Sequence, residues 1–153
     1  MSQVGLIIPD NLVEIIDLVL NNEGYLFGGA VRDLIRNEIP SDLDVSIRNY
    51  ENFYENLLLL GFKILPSGKM IKDDIIIDVL ELDDPESFVE IGVPLDFDVN
   101  MLAWDGSKVF NYNNPDLDVK DIIDNIKVKR AFRINPCDER LSKMISKGWD
   151  IIN

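Results

Sequence analysis

From position 24 to position 47 the chain reads GYLFGGAVRDLIRNEIPSDLDVSI, and no other stretch restricts the fold so tightly. Tyr25, Leu26 and Phe27 form a short apolar run of β type that stops at Gly28-Gly29, a signal for a tight turn or a close backbone approach. Ala30, Val31, Leu34 and Ile35 then recur at helical spacing, so a strand, a glycine turn and a helix are expected in succession. Such a turn suits phosphate: free backbone N–H groups and the positive end of the helix dipole face the anion, and glycine lets it come close. Arg32 can add a charge-assisted hydrogen bond. A polar turn over 37–41 containing Pro40 leads into Asp42-Leu43-Asp44-Val45-Ser46-Ile47. In a strand, Asp42, Asp44 and Ser46 share one face and Leu43, Val45 and Ile47 the other. Two carboxylates two residues apart repel unless a cation or solvent lies between them, and oxygen ligands on a rigid strand suit Mg²⁺.

A third carboxylate is marked by its surroundings. Residues 75–82 are the best strand in the sequence, nearly continuous in β-branched and apolar residues, which predicts burial on both faces. Asp78 interrupts it. A carboxylate inside a buried strand needs a cation or a partner, and the choice lies between an arginine such as Arg32 or Arg48, exposure at a sheet edge, and a shared site with Asp42 and Asp44. The glycine pair and the Asp-x-Asp pattern favour the shared site.

Gly28-Gly29-Ala30-Val31-Arg32-Asp33 followed by Asp42-Leu43-Asp44 resembles the head-domain signature of class II CCA-adding enzymes and bacterial poly(A) polymerases, in the DNA-polymerase-β-like nucleotidyltransferase superfamily. A second stretch, 94–106, is similar to a family motif written Arg-Arg-Asp-Phe-Thr-Ile-Asn-Ala-hydrophobic-Ala-Tyr-Asp: Asp96, Phe97, Asn100, Ala103 and Asp105 stand in matching places, while Pro94 and Leu95 replace the paired arginines associated with nucleotide recognition. The resemblance implies an α/β fold, a mixed sheet flanked by helices, and two-metal transfer of a nucleotidyl group. Asp42, Asp44 and Asp78 would be the catalytic carboxylates and ligands of two Mg²⁺ ions, or of Mn²⁺. Gly28, Gly29 and Arg32 would hold the triphosphate of an NTP, ATP or CTP being favoured. Asp96 and Asn100 are either nucleotide contacts or caps of a turn or helix. The resemblance covers a single head-like domain over 1–153. On this reading the neck, body and tail regions of the family, with their Glu-Asp-x-x-Arg templating motif, are expected to be absent.

Charge limits the partners. With 28 acidic against 15 basic residues the net charge is −13, so a nucleic acid must be held by a local basic patch, by metal ions or by a partner. Two basic faces are expected: Lys127, Lys129 and Arg133 on an alternating strand over 126–134, and Arg140, Lys143 and Lys147 along a final helix starting near Pro136. Arg133, Arg140 and Lys143 are thus candidate contacts to an acceptor or its phosphates. Arg140 loosely matches an arginine of the family's Asp-Pro-x-Arg segment, with Cys137 in the aspartate's place. Histidine is absent and Cys137 is the single cysteine, which excludes histidine-based catalysis, an internal disulfide and a cysteine zinc cluster. No signal-peptide pattern or run of membrane-span length appears, so a cytoplasmic location is expected by default.

The remaining elements read as support. An amphipathic helix over 11–22, capped by Asp10 or Asn11, and a second over 50–60 should pack on the sheet. Pro66-Ser67-Gly68 should turn a hairpin, 83–93 should be a mobile acidic connection, 108–112 a strand and 116–125 a short helix. Three functions stay open: a transferase acting on an RNA 3′ end of tRNA-like type, a minimal transferase modifying a protein or small-molecule hydroxyl, and a catalytically silent nucleotide- or RNA-binding module.

Overall fold

A computed structural model describes residues 2–3, 6–40, 42–81, 96–111 and 117–153. The connection expected over 83–93 and the positions of Pro94 and Leu95 lie outside the described residues. The expected strand–turn–helix is present as β2 (Tyr25–Phe27), a turn at Gly28 and α2 (Gly29–Ile35). The two carboxylate strands are β3 (Asp42–Ile47) and β6 (Ile75–Glu81), joined through α3 (Tyr50–Leu59), β4 (Lys63–Ile64) and β5 (Met70–Lys72). With β1 (Ser2–Gln3), β7 (Leu102–Trp104) and β8 (Lys108–Asn111) they make one sheet in the order β1-β8-β7-β2-β3-β6-β5-β4. Every described pairing in it is antiparallel except β3 with β6. The fold is the expected mixed sheet flanked by helices.

Strand alternation decides where the core lies. Leu43, Val45, Ile47, Met70 and Ile77 are fully buried on one face, beneath α1 (Val13–Asn21) and α2, and α3 contributes Phe53 and Leu57. The opposite face of β6 is different. Ile76, Asp78 and Leu80 are only half-buried there and line a cleft, so the expectation of a strand covered on both sides is corrected: its apolar run is continuous because the cleft floor beside Asp78 is itself apolar.

Helix α1 begins after a 3₁₀ turn at Asp10–Leu12, with no side-chain cap from Asp10 or Asn11. Gly24 follows it at a packing pinch: a Cβ there would lie 2.6 Å from the Val19 carbonyl oxygen and 2.6 Å from Ile47 Cδ1. The strand expected over 126–134 is overturned. Ile122, Ile123 and Ile126 are buried at helical spacing and carry α4 (Val119–Lys127) through Lys127, while Lys129 sits at φ +58° and breaks the chain direction. Only β9 (Arg130–Phe132) is extended, paired in parallel with β10 (Asp150–Ile152) after α5 (Asp138–Ser146). Lys127, Lys129 and Arg133 therefore do not form a basic strand face. On α5 the apolar side is Met144, followed by buried Trp149, whereas Ile145 is exposed.

Candidate functional site

Register brings the acids together. Asp44 lies directly across from Asp78 on the parallel β3–β6 pair, and Phe27 at the end of β2 is opposite Asp44 on its other side. Neighbouring strands are about 4.8 Å apart, so side chains of Asp44 and Asp78 stand shoulder to shoulder on the cleft face. Asp42, two residues back, faces the same way. Gly28, at φ +70°, comes so near that a Cβ on it would be 3.6 Å from Asp44 Oδ2. This is the positive-φ position that glycine alone adopts without strain.

These groups share a cleft of about 740 Å³. Gly28, Gly29, Arg32, Asp42, Asp44, Asp78, Asp96, Asn100, Arg140 and Lys143 all line it; Arg133 does not. Its backbone is bridged to Phe97 and its side chain is exposed elsewhere. Lys69 and Lys147 also reach the cleft. Nothing local marks Lys69, which follows Gly68 at the end of a turn; only the register of β5 on β6 reveals the face it takes. A smaller hollow of about 310 Å³ between α1 and α3, lined by Glu14, Asp17 and Leu59 among others, gathers none of the residues singled out.

The charge at the acids is only partly compensated. Burial, then the negative charge of Asp78, push the Asp44 carboxyl up to about 6, with Asp42 adding to the rise and Lys69 and Arg140 opposing it. None of the three aspartates makes an ion pair with an arginine or lysine among the described residues. In particular, Arg32 does not pair with Asp78. The donor set is all oxygen and its charges repel, which fits hard divalent cations. Among the described residues the acids do not close into a ready metal cage; they line an open cleft.

Arg32 is buried, at 6% exposure, and most of its donors are used within the protein. Nε donates to Asp33 Oδ1 at 3.0 Å, Nη2 is 2.9 Å from the same oxygen, and Nη1 donates to Asn100 Oδ1 at 2.8 Å. The guanidinium also lies 5.5 Å from the centre of the Trp149 ring. The relay continues: Asn100 Nδ2 donates to Asp96 Oδ1 at 3.2 Å, and Arg140 Nη1 donates to Asp96 Oδ2 at 2.7 Å. Asp96 and Asn100 thus tie α2, the 3₁₀ turn at Asp98–Asn100 and α5 into one wall while still facing the cleft. Asp96 Oδ1 also accepts from the N–H of the next residue, Phe97, at 2.7 Å, and no side chain caps the 3₁₀ turn. Behind them buried Asp98 accepts from the N–H groups of Val99 and Phe132 and from Asn125, and burial raises its pKa despite those bonds.

No protein-family model matches this chain, and no curated protein is detectably similar to it in sequence. Solved structures do match. A tRNA-processing enzyme in an apo form aligns with a TM-score of 0.64 and 16% identity over 99% of this chain and 46% of its own. A CCA-adding enzyme solved with ATP gives 0.60 and 16% over 95% and 40%. The Thermotoga maritima CCA-adding enzyme complexed with tRNA gives 0.55 and 17% over 92% and 40%. The fold is one shared with these tRNA-processing and CCA-adding enzymes. The chain spans less than half the length of the solved structures it matches. Among the described residues no helix is long and apolar enough to cross a membrane.

Proposed function

We propose that the protein is a metal-dependent, template-independent nucleotidyltransferase that moves an NMP from an NTP to an acceptor hydroxyl, an RNA 3′ end of tRNA-like type being favoured. The observation that carries this reading is the in-register Asp44–Asp78 pair, with Asp42 on the same face and Gly28 packed against the Asp44 carboxylate. The solved neighbours with ATP and with tRNA support the same choice of partners.

The acceptor hydroxyl gives up its proton to solvent, its oxygen forms a bond to the α-phosphorus, the α–β phosphoanhydride bond breaks, and pyrophosphate leaves. Mg²⁺ or Mn²⁺ ions held by Asp42, Asp44 and Asp78 would supply Lewis-acid activation of the hydroxyl and neutralise the leaving group. Gly28 and Gly29 leave room for the triphosphate to approach the backbone: Gly28 holds a φ of +70° that L side chains rarely adopt, and a Cβ at Gly29 would crowd Arg32 Nη2 at 3.3 Å. Arg32 supplies positive potential from the cleft wall, and Asn100, held by Arg32 and Asp96, is positioned to read the sugar or base. Arg140 and Lys143 stand at the rim, where an acceptor's phosphates would pass.

The net charge of −13 favours one other reading, a protein or small-molecule hydroxyl as acceptor. Incubation with Mg²⁺ and each labelled NTP in turn, offering total RNA and a cell extract as separate acceptors, decides between them. Label in RNA, lost in an Asp42→Ala/Asp44→Ala variant, is the expected result. Label in protein or small molecules supports the second reading, and no label in any arm leaves a silent binding module.

A further inference from the structure

The row of side chains on the cleft face does not end at Asp78. Strand β5 pairs antiparallel with β6 through Met70 and Ile77, and continuing that register one residue sets Lys69 opposite Asp78. Phe27, Asp44, Asp78 and Lys69 therefore follow one another across four neighbouring strands. The glycine turn adjoins Asp44 at one end of this row, so Lys69 marks the other, on the far side of the acids from the triphosphate cradle.

Lys69 is held for a purpose that the fold does not use. Its carbonyl accepts from the Leu65 N–H at 2.8 Å, and the preceding Gly68, at φ +93°, has its carbonyl fixed by the Tyr54 hydroxyl at 2.7 Å. Its ammonium, in contrast, has no hydrogen bond or ion pair among the described residues. Lys72 on the same hairpin gives its ammonium to the Leu60 carbonyl, and Lys129 gives its own to the Lys147 carbonyl. A half-buried cation on a fixed backbone, beside two carboxylates but bonded to neither, is a group placed for an external anion.

We infer that Lys69 is the acceptor-side cation of the cleft: it takes the phosphodiester next to the acceptor hydroxyl and so selects a polynucleotide end over an uncharged hydroxyl. The inference rests on the transferase reading and adds to it the residue that selects the acceptor. Lys69 binds and positions; the bond changes remain those given above.

The test uses a tRNA transcript lacking its 3′-terminal nucleotides as acceptor, with ATP and CTP as donors. Steady-state kinetics are compared for the wild type, Lys69→Ala, Lys69→Arg and, as a control for lost charge outside the cleft, Lys120→Ala. Binding of the same transcript is followed by fluorescence anisotropy without NTP. Lys69→Ala should raise the KM for the transcript about tenfold while the KM for NTP changes less than about twofold. Lys69→Arg should recover most of the loss and Lys120→Ala should show none. An unchanged acceptor KM in Lys69→Ala, a rise in the NTP KM instead, or an equal effect of Lys120→Ala overturns the inference while the transferase reading stands. A wild type that labels protein but neither binds nor extends the transcript also overturns it. A wild type that transfers to nothing removes the transferase reading, and the inference with it.

Discussion

At the residue scale the informative quantity is the unpaid repulsion at Asp44, whose carboxyl is raised from 3.8 to about 6 by burial and by Asp78. An acid with a raised folded pKa holds its proton longer when folded than when unfolded. Its contribution to stability is complete below about pH 4 and is lost as pH rises through about 6. In chelator, the wild type should therefore lose on the order of 1–3 kcal/mol relative to Asp44→Asn between pH 4 and pH 7.5, measured by urea unfolding. Added Mg²⁺ at pH 7.5 should raise the Tm of the wild type and leave that of Asp44→Asn nearly unmoved. Arg140 gives a prediction of the opposite sense. Asp96 is 2% exposed and Arg140 is its charged partner, so Arg140→Ala should cost about 1–3 kcal/mol in the same assay, Asn100 and the Phe97 N–H still holding one oxygen. The roles of Asp42 and Asp44 were suggested by side-chain alternation within six residues. The relay from Arg32 to Arg140 was not, because its members come from three separated elements and pair only once those elements pack.

Elements were legible where local pattern and burial agree. Strand β3 shows this: Leu43, Val45 and Ile47 are fully buried and Asp42 and Asp44 face the cleft, as alternation requires. Helix α4 with β9 shows the contrary case. Ile126, Val128, Phe132 and Ile134 are spaced so that an alternating strand can be drawn through them, yet the chain continues the helix to Lys127, since Ile122, Ile123 and Ile126 bury one helical stripe. The pairing partner of β9 is β10, the far side of α5, and nothing local announces it. Gly24 is a packing requirement that also escapes the sequence pattern. Gly24→Ala should lower stability by about 2–3 kcal/mol, seen as a fall in Tm, because the Val19 carbonyl oxygen that a Cβ would strike belongs to the turn closing α1.

Across the whole molecule, charge is unevenly placed. Arg32, Lys69, Arg140, Lys143 and Lys147, a third of the chain's 15 basic residues, line the same cleft as the acids while the protein carries −13 overall. RNA approaching elsewhere is repelled, so binding should be localised and strongly salt-dependent. Lys143→Ala should weaken binding of an RNA oligonucleotide and reduce the magnitude of its log–log salt slope by about one, read by fluorescence anisotropy over a salt series. The mixed order of the sheet has a further consequence, one of timing. Since β3 and β6 lie side by side only after α3 and a hairpin have been laid down between them, the step that pairs these two strands also forces two like charges together. Chain closure over that span is slow relative to local hairpins, and the charge adds to its barrier. Stopped-flow refolding in chelator compared at pH 5 and pH 8, with Asp78→Asn as reference, measures this: faster refolding in acid, absent from the variant, places the parallel step at the barrier, and equal rates place it after.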